Sequence, residues 1–198
     1  MFLPGRVPNR QVWNAHIARY RRRGISGWGS GIALAEWRAA AGLWHEHFQP
    51  ADGWVADFGS GNAGFWQLVT KPERLILLDI VDFGLNALPG QVFIGNAAKT
   101  PFRANSLSAI VALGLCEYLD DLDAACAEWR HIARDGCKLL VTNSPPLMVN
   151  RIRGWCDGIV RVRSDHEFAE TLVQNRWSQL TKTPIRAGWQ SVFVAIAV

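Results

Sequence analysis

Between Trp54 and Ser144 the chain repeats one pattern, a short β-rich apolar run followed by a turn or a stretch of helical periodicity. The runs GWVADFG, RLILLDI, QVFIGN, SAIVALG and CKLLVTNS read as strands, with GFWQLVT, DFGLNAL and DLDAACAEWRHIARD as helices among them. Parallel strands joined through helices cross over with one hand, so this rhythm predicts an α/β fold with a mostly parallel sheet covered on both faces. The tail changes the rhythm. SDHEFAETLVQNRW predicts a helix, and SQLTKTPIRAGWQSVFVAIAV predicts two more strands joined through PIRAG. That pair would form an antiparallel C-terminal hairpin at the sheet edge and bring the sheet to seven strands.

Two helices are expected ahead of the sheet. In NRQVWNAHIARYRRRG, Trp13, Ile17 and Tyr20 fall at helical spacing, and in IALAEWRAAAGLWHEHF the stripe is Trp37, Ala41, Trp44 and Phe48. Residues 1–50 would form a helical lid and 51–198 the main domain, one structural unit in all at 198 residues. Nearly half the residues are apolar, which fits a folded chain. The first residues lack the apolar core of a signal peptide, and no window is apolar enough to span a membrane, so the expected location is cytoplasmic with no transmembrane segment. Cys116, Cys126, Cys137 and Cys156 show no metal-ligand spacing, so reduced thiols and no metal are expected.

The loop after the first strand narrows the function. In VADFGSGNAGF, glycines at 59, 61 and 64 spell G-x-G-x-x-G, the dinucleotide fingerprint, in which a helix N-terminus faces a pyrophosphate. Asp57 stands two residues before Gly59, and a carboxylate there suits a cationic ligand better than a pyrophosphate. Asp79 ends the second strand, where it can accept both hydroxyls of a ribose. GNAAKTPF follows the third strand, VALGLCEYL the fourth, and ARDGCKLLVTNSPP spans the fifth.

Together these segments resemble the class I S-adenosylmethionine-dependent methyltransferases, whose pattern is roughly D-x-G-x-G, an acidic end to strand two, G-D-A-x-x-x-P-F, L-E-H-L after strand four, and K-P-G-G-x-L-L-x-x-x-P. The resemblance covers about residues 54–146 and implies a Rossmann-like, doubly wound fold with S-adenosylmethionine as cofactor. It implies that Asp57 and the backbone of Gly59, Ser60 and Gly61 hold the cofactor's methionine portion, Asp57 through its amino group. Asp79 would hold the ribose, Ile80 would pack on the adenine, Asn96 and Ala97 would border it, and Leu113 and Gly114 would add strand-end backbone. Three positions depart from the pattern: Ala63 stands where a third glycine is usual, with Gly64 one step later; Asn96 replaces Asp; Tyr118 replaces His. An Asn can still accept from an adenine amine.

Each position also has a purely structural use. Gly59 and Gly61 suit a tight turn, Asp79 a helix cap, Asn96 a turn, and Glu117 an exposed helix entry. NSPPL resembles the N-P-P-[YF] signature of amine methyltransferases, but it follows strand five, Ser144 intervenes and Leu147 replaces the aromatic, so it is read as a turn out of the sheet.

Methyl transfer is an in-line displacement that rests on alignment and exclusion of water, and a base is needed only where the acceptor must lose a proton. Glu117, Tyr118, His16 and His47 are the candidates for catalytic roles, while His131 and His166 are read as structural. Charge is uneven: residues 1–50 carry seven arginines against two glutamates, 51–146 seven basic against eleven acidic groups, and 147–198 seven against four. The basic runs YRRRG, NRIRGW and RVR, with tryptophans left over from the core, suggest a rim for a small acceptor that has an apolar or lipid-like body and an anionic group. The expected activity is methyl transfer from S-adenosylmethionine to such a small molecule. Alternatives are a nucleic-acid methyltransferase, for which the basic runs are short, a catalytically inactive cofactor-binding partner protein, and an NAD oxidoreductase.

Overall fold

A computed structural model describes residues 30–48, 53–81, 90–157, 160–184 and 189–198. The expected first helix with His16, the DFGLNAL helix and the PIRAG turn lie outside the described residues. Seven strands form one sheet: β1 (Trp54–Phe58), β2 (Leu75–Asp79), β3 (Gln91–Ile94), β4 (Leu107–Ala112), β5 (Ala133–Asn143), β6 (Trp177–Pro184) and β7 (Ser191–Ala197). Their order is β3-β2-β1-β4-β5-β7-β6. The first five run parallel, and β7 is antiparallel to both β5 and β6. The α/β sheet and its antiparallel hairpin are therefore as the sequence predicts.

Alternation along the strands sorts the core into two layers. Ala56, Phe58, Ile110 and Ala112 face one side, where they meet Trp129 of helix α2 (Leu122–Ile132) and Phe168 of helix α4 (Asp165–Gln174). Val55, Leu75, Leu77, Ala109 and Val111 face the other side. Helix α1 (Ser30–His47) covers that second face through Ala40, Ala41, Leu43 and Trp44, so its C-terminal half belongs to the same core as the sheet. Asp121 starts α2 by accepting the Ala124 N–H at 2.9 Å, and Ser164 with Glu167 forms a reciprocal cap at the start of α4.

Two local expectations are corrected. GFWQLVT is not a full helix but one 3₁₀ turn over Gly64–Gln67. Its Phe65 and Trp66 turn inward and meet Trp44 of α1 edge to face, at 6.1 and 5.3 Å between ring centroids, so α1 occupies the layer that a longer crossover helix would fill. A helix over Met148–Asp157, here α3, was not expected. Its apolar Met148, Ile152 and Trp155 are exposed, as is Arg151, while the polar Asn150 is fully buried, which departs from the usual amphipathic pattern.

Candidate functional site

Strand β1 connects through its own crossover to β2 on one side, while β4 lies on its other side, so the strand order reverses between β1 and β4. Crevices at the carboxyl ends of such a strand pair are where open α/β sheets bind ligands. A cleft lies there, lined by Trp37, Asp57, Gly59, Ser60, Gly64, Phe65 and Leu113. Gly59 and Gly61 adopt φ of 68° and 52°, and a Cβ on Gly59 would sit 3.0 Å from Leu115. The loop therefore needs glycine at 59 both for its backbone and for its neighbour. Gly64 serves a different end: a Cβ there would stand 2.3 Å from the Trp37 ring, so this glycine makes room for α1 beside the cleft. Ala63, where the family pattern often has glycine, itself holds a left-handed φ of 55°.

Asp57 is buried at the end of β1, and its Oδ2 accepts the Trp66 indole N–H at 2.7 Å. Burial pushes its carboxyl up to about 7, against the indole hydrogen bond that lowers it, with the nearby Asp79 raising it further. The ionised form gains when a cation arrives. Ser60 adds a buried Oγ without a hydrogen-bond partner. Asp79 accepts the Gly61 N–H at 2.9 Å through Oδ2 and the Val81 N–H at 3.0 Å through Oδ1, so it fixes the glycine loop as well as ending β2. Burial raises its carboxyl and these backbone N–H groups lower it. Ile80 beside it is half-exposed, an apolar face at the sheet end.

Asn96 and Ala97 follow β3. The Asn96 side-chain Oδ1 accepts the Ala98 N–H at 2.9 Å, so that oxygen first closes its own turn. Asn96 is exposed, and its amide N–H₂ is better placed to donate than the side-chain oxygen is to accept. Ala97 is buried, and its carbonyl accepts the Trp129 indole N–H at 2.8 Å. Past β4, Leu113 lines the cleft and Gly114, with φ 65°, donates to Thr142 Oγ1 at 2.7 Å. The positions at 57, 59, 60, 64 and 113 meet in one cleft, with 61 and 79 bonded directly behind it.

The base candidates fare differently. His47 sits at the far end of α1, where its carbonyl accepts from Lys138, a residue paired with Ala109 near the start of β4. Eleven residues of helix separate it from the cleft end at Glu36, about 16 Å. It cannot act as a base at the cleft. Glu117 is not an exposed helix entry but a buried carboxylate: Oε1 takes Arg153 at 2.7 Å, and Oε2 takes Ser144 Oγ at 2.5 Å and Gln190 Nε2 at 2.6 Å. With every oxygen engaged, it anchors structure. Tyr118 is held by Arg153 as well. Three arginines of the described basic rim are engaged internally: Arg153 pairs with Glu117, Arg161 with Asp120, and Arg163 donates to the carbonyls of Cys116 and Leu119 at 2.9 and 2.8 Å. Arg151 is exposed, and YRRRG lies outside the described residues. Asn143, first residue of NSPPL, donates to Arg163 O and Asp165 Oδ1, so it docks the start of α4.

One site residue went unread in the sequence. Glu36, on α1 beside Trp37, is buried, and its Oε1 lies 3.8 Å from where a Cβ of Gly114 would stand. The signal was present: Glu36 occupies the helical row that continues as Ala40 and Leu43, a charge on the buried stripe. Cys116, Cys126 and Cys137 are free and buried, and burial pushes the thiols of Cys126 and Cys137 up to about 12.

No protein-family model matches the sequence, and no curated protein matches it. Solved structures do match. A chain in the complex between the Haloferax volcanii Trm112 methyltransferase activator and a methyltransferase superposes with a TM-score of 0.76 at 15% identity, over 96% of this chain and 97% of that one. Magnesium protoporphyrin IX methyltransferase from Synechocystis, with bound S-adenosylhomocysteine, gives 0.73 at 11% identity, over 96% and 98%. Geranyl diphosphate C-methyltransferase from Streptomyces coelicolor gives 0.68 at 15% identity, over 81% and 77%. The fold expected from the sequence, that of the class I methyltransferases, is the fold found.

Proposed function

We propose that the chain binds S-adenosylmethionine in the cleft between β1 and β4 and transfers its methyl group to a small-molecule acceptor. The observation that carries this reading is Asp57, a buried carboxylate lining a glycine-turned cleft at the reversal of strand order. A pyrophosphate would meet that carboxylate as a like charge, whereas an ammonium would restore its ionised form. The residues present fit the cofactor: Asp57 and Ser60 for the amino-acid end, Gly59 and Gly61 for close backbone approach, Asp79 for ribose hydroxyls, Ile80 for an adenine face. Asn96, Ala97, Leu113 and Gly114 border the same sheet end. When bound, the cofactor supplies an electrophilic methyl group on a sulfonium.

The chain's own part is orientation and dryness. Trp37, Phe65 and Leu113 give the cleft apolar walls, and the Trp66 indole fixes the Asp57 carboxylate. The similar structures named for small acceptors support a small molecule. Selection of an anionic acceptor finds little support among Arg153, Arg161 and Arg163, which are paired within the chain. Among the described residues no helix is long and apolar enough to cross a membrane. Calorimetric titration with S-adenosylhomocysteine and, separately, NADH tests the reading. Binding of the first alone is expected; binding of NADH alone overturns it. A second reading, cofactor binding with activity that depends on a partner chain, is favoured by the similar structure solved with an activator. It predicts S-adenosylhomocysteine binding without methyl transfer by the isolated chain.

A further inference from the structure

Beside the cleft, at the carboxyl ends of β4 and β5, five elements bring polar side chains into one buried cluster. Glu36 comes from α1, Glu117 from the turn after β4, Thr142 and Ser144 from the end of β5, Arg153 from α3, and Gln190 from just ahead of β7. Hydrogen bonds account for most of it. Gly114 N–H donates to Thr142, Thr142 bonds Glu36, and Glu117 gathers Ser144, Arg153 and Gln190. Two oxygens are left over: Glu36 Oε1 and Gln190 Oε1 are buried and have no hydrogen-bond partner. The orientation of the Gln190 amide is fixed, since its nitrogen faces the Glu117 carboxylate and a flip would oppose two acceptors.

Buried acceptors without donors cost free energy, on the order of 1–3 kcal/mol each, unless a ligand supplies the hydrogens. The ligand's chemistry follows from what is missing. With Glu36 ionised, the two oxygens call for a group with at least two hydrogens, which a hydroxyl lacks. The charges agree: Glu36 and Glu117 face a single arginine, so the cluster carries a net negative charge once Glu36 ionises. We propose that Glu36 Oε1 and Gln190 Oε1 form the acceptor subsite and bind a primary ammonium group of the methyl acceptor. This rests on the methyltransferase reading above, in which Asp57 serves the cofactor's own amino group and leaves Glu36 for the substrate.

Burial, reinforced by Glu117 and opposed by Arg153 and Thr142, pushes the Glu36 carboxyl up to about 8. The subsite is therefore charged for a cation on the alkaline side of neutrality, where alkylamines keep their proton. Affinity for an ammonium should rise about tenfold between pH 7 and 9, the change in the ionised fraction of a group titrating near 8.

The test uses the full chain saturated with S-adenosylhomocysteine, after that binding has been measured by itself. Methylammonium, ethylammonium and 2-phenylethylammonium are titrated by NMR, following the Gln190 side-chain amide and the Glu36 carboxyl carbon, with 2-phenylethanol as the alcohol control. Saturable shifts at both side chains are expected with at least one amine, stronger at pH 9 than at pH 7, and none with the alcohol. Glu36→Gln should weaken amine binding at least tenfold, and Gln190→Met should weaken it too, while both retain S-adenosylhomocysteine affinity within about twofold. Absence of shifts with all three amines, or equal response to the alcohol, overturns the proposal. Loss of S-adenosylhomocysteine binding in Glu36→Gln also overturns it, by assigning the carboxylate to the cofactor. Failure of the unaltered chain to bind S-adenosylhomocysteine at all overturns the methyltransferase reading instead.

Discussion

Single carboxylates and glycines around the first loop do separable work. Asp79 ends β2 and holds the Gly61 and Val81 amides, so Asp79→Ala would remove the proposed ribose partner and loosen the loop together. Cofactor affinity should fall roughly ten- to a hundredfold, the scale of one or two lost charge-assisted hydrogen bonds, as read by calorimetry with S-adenosylhomocysteine. Asp57 titrates near 7, and a cationic amino group binds its ionised form. Affinity for S-adenosylhomocysteine should therefore climb as pH rises towards 7 and level off above it, and Asp57→Asn should abolish that slope. Gly64 answers a question its motif poses wrongly. The third glycine of G-x-G-x-x-G makes room for Trp37, so Gly64→Ala should destabilise the fold by about 1–3 kcal/mol through overpacking. Urea unfolding of Gly64→Ala in a Trp37→Leu background should recover most of that loss; an undiminished loss would place the strain elsewhere.

Among the elements, the parallel strands were legible because each is a short apolar run closed by glycine or a polar residue, and their alternation matches the two observed core layers. The 3₁₀ turn was not legible, since GFWQLVT has helical periodicity and only the Trp44 contacts from a distant helix show why it stops after four residues. Helix α3 stayed hidden for the opposite reason. Asn150 is buried and donates to the carbonyls of Pro145 and Trp189, while the apolar Met148, Ile152 and Trp155 are exposed. The ion pair between Arg153 and Glu117 joins these hydrogen bonds in docking α3. Arg153→Met leaves Glu117 buried without its cation and should cost about 3–5 kcal/mol, measured by thermal or urea unfolding at pH 7. Apart from Trp37, the residues that line the cleft were thus singled out by motifs along the first four strands. The polar cluster beside it was not, because it assembles from α1, β5, α3 and the approach to β7, none of which carries a local signature.

Over the whole molecule, the carboxylates at the sheet's ligand end make stability depend on pH. Asp57 and Glu36 titrate near 7 and 8 when folded, above their ordinary values, so the unfolded chain releases their protons first as pH rises. The ligand-free protein should lose stability between about pH 4 and pH 8, and Glu36→Gln and Asp57→Asn should each flatten the curve. Asp165 runs the other way. Its hydrogen bonds from Asn143, Lys182 and Ser191 hold its carboxyl low against burial, so its contribution is present above the ordinary carboxylate range and lost as pH falls through its depressed value. Under the proposed reading, Asp57 and Glu36, pushed up by burial, are the carboxylates that a cationic ligand would stabilise in ionised form. The most direct measurement is a crystal structure of the chain with S-adenosylhomocysteine. The cofactor's amino group should lie within hydrogen-bond distance of Asp57 and its ribose hydroxyls on Asp79, with its sulfur facing Glu36. A ligand bound away from the β1–β4 cleft, or one whose carboxylate end occupies the Asp57 side, would contradict the account.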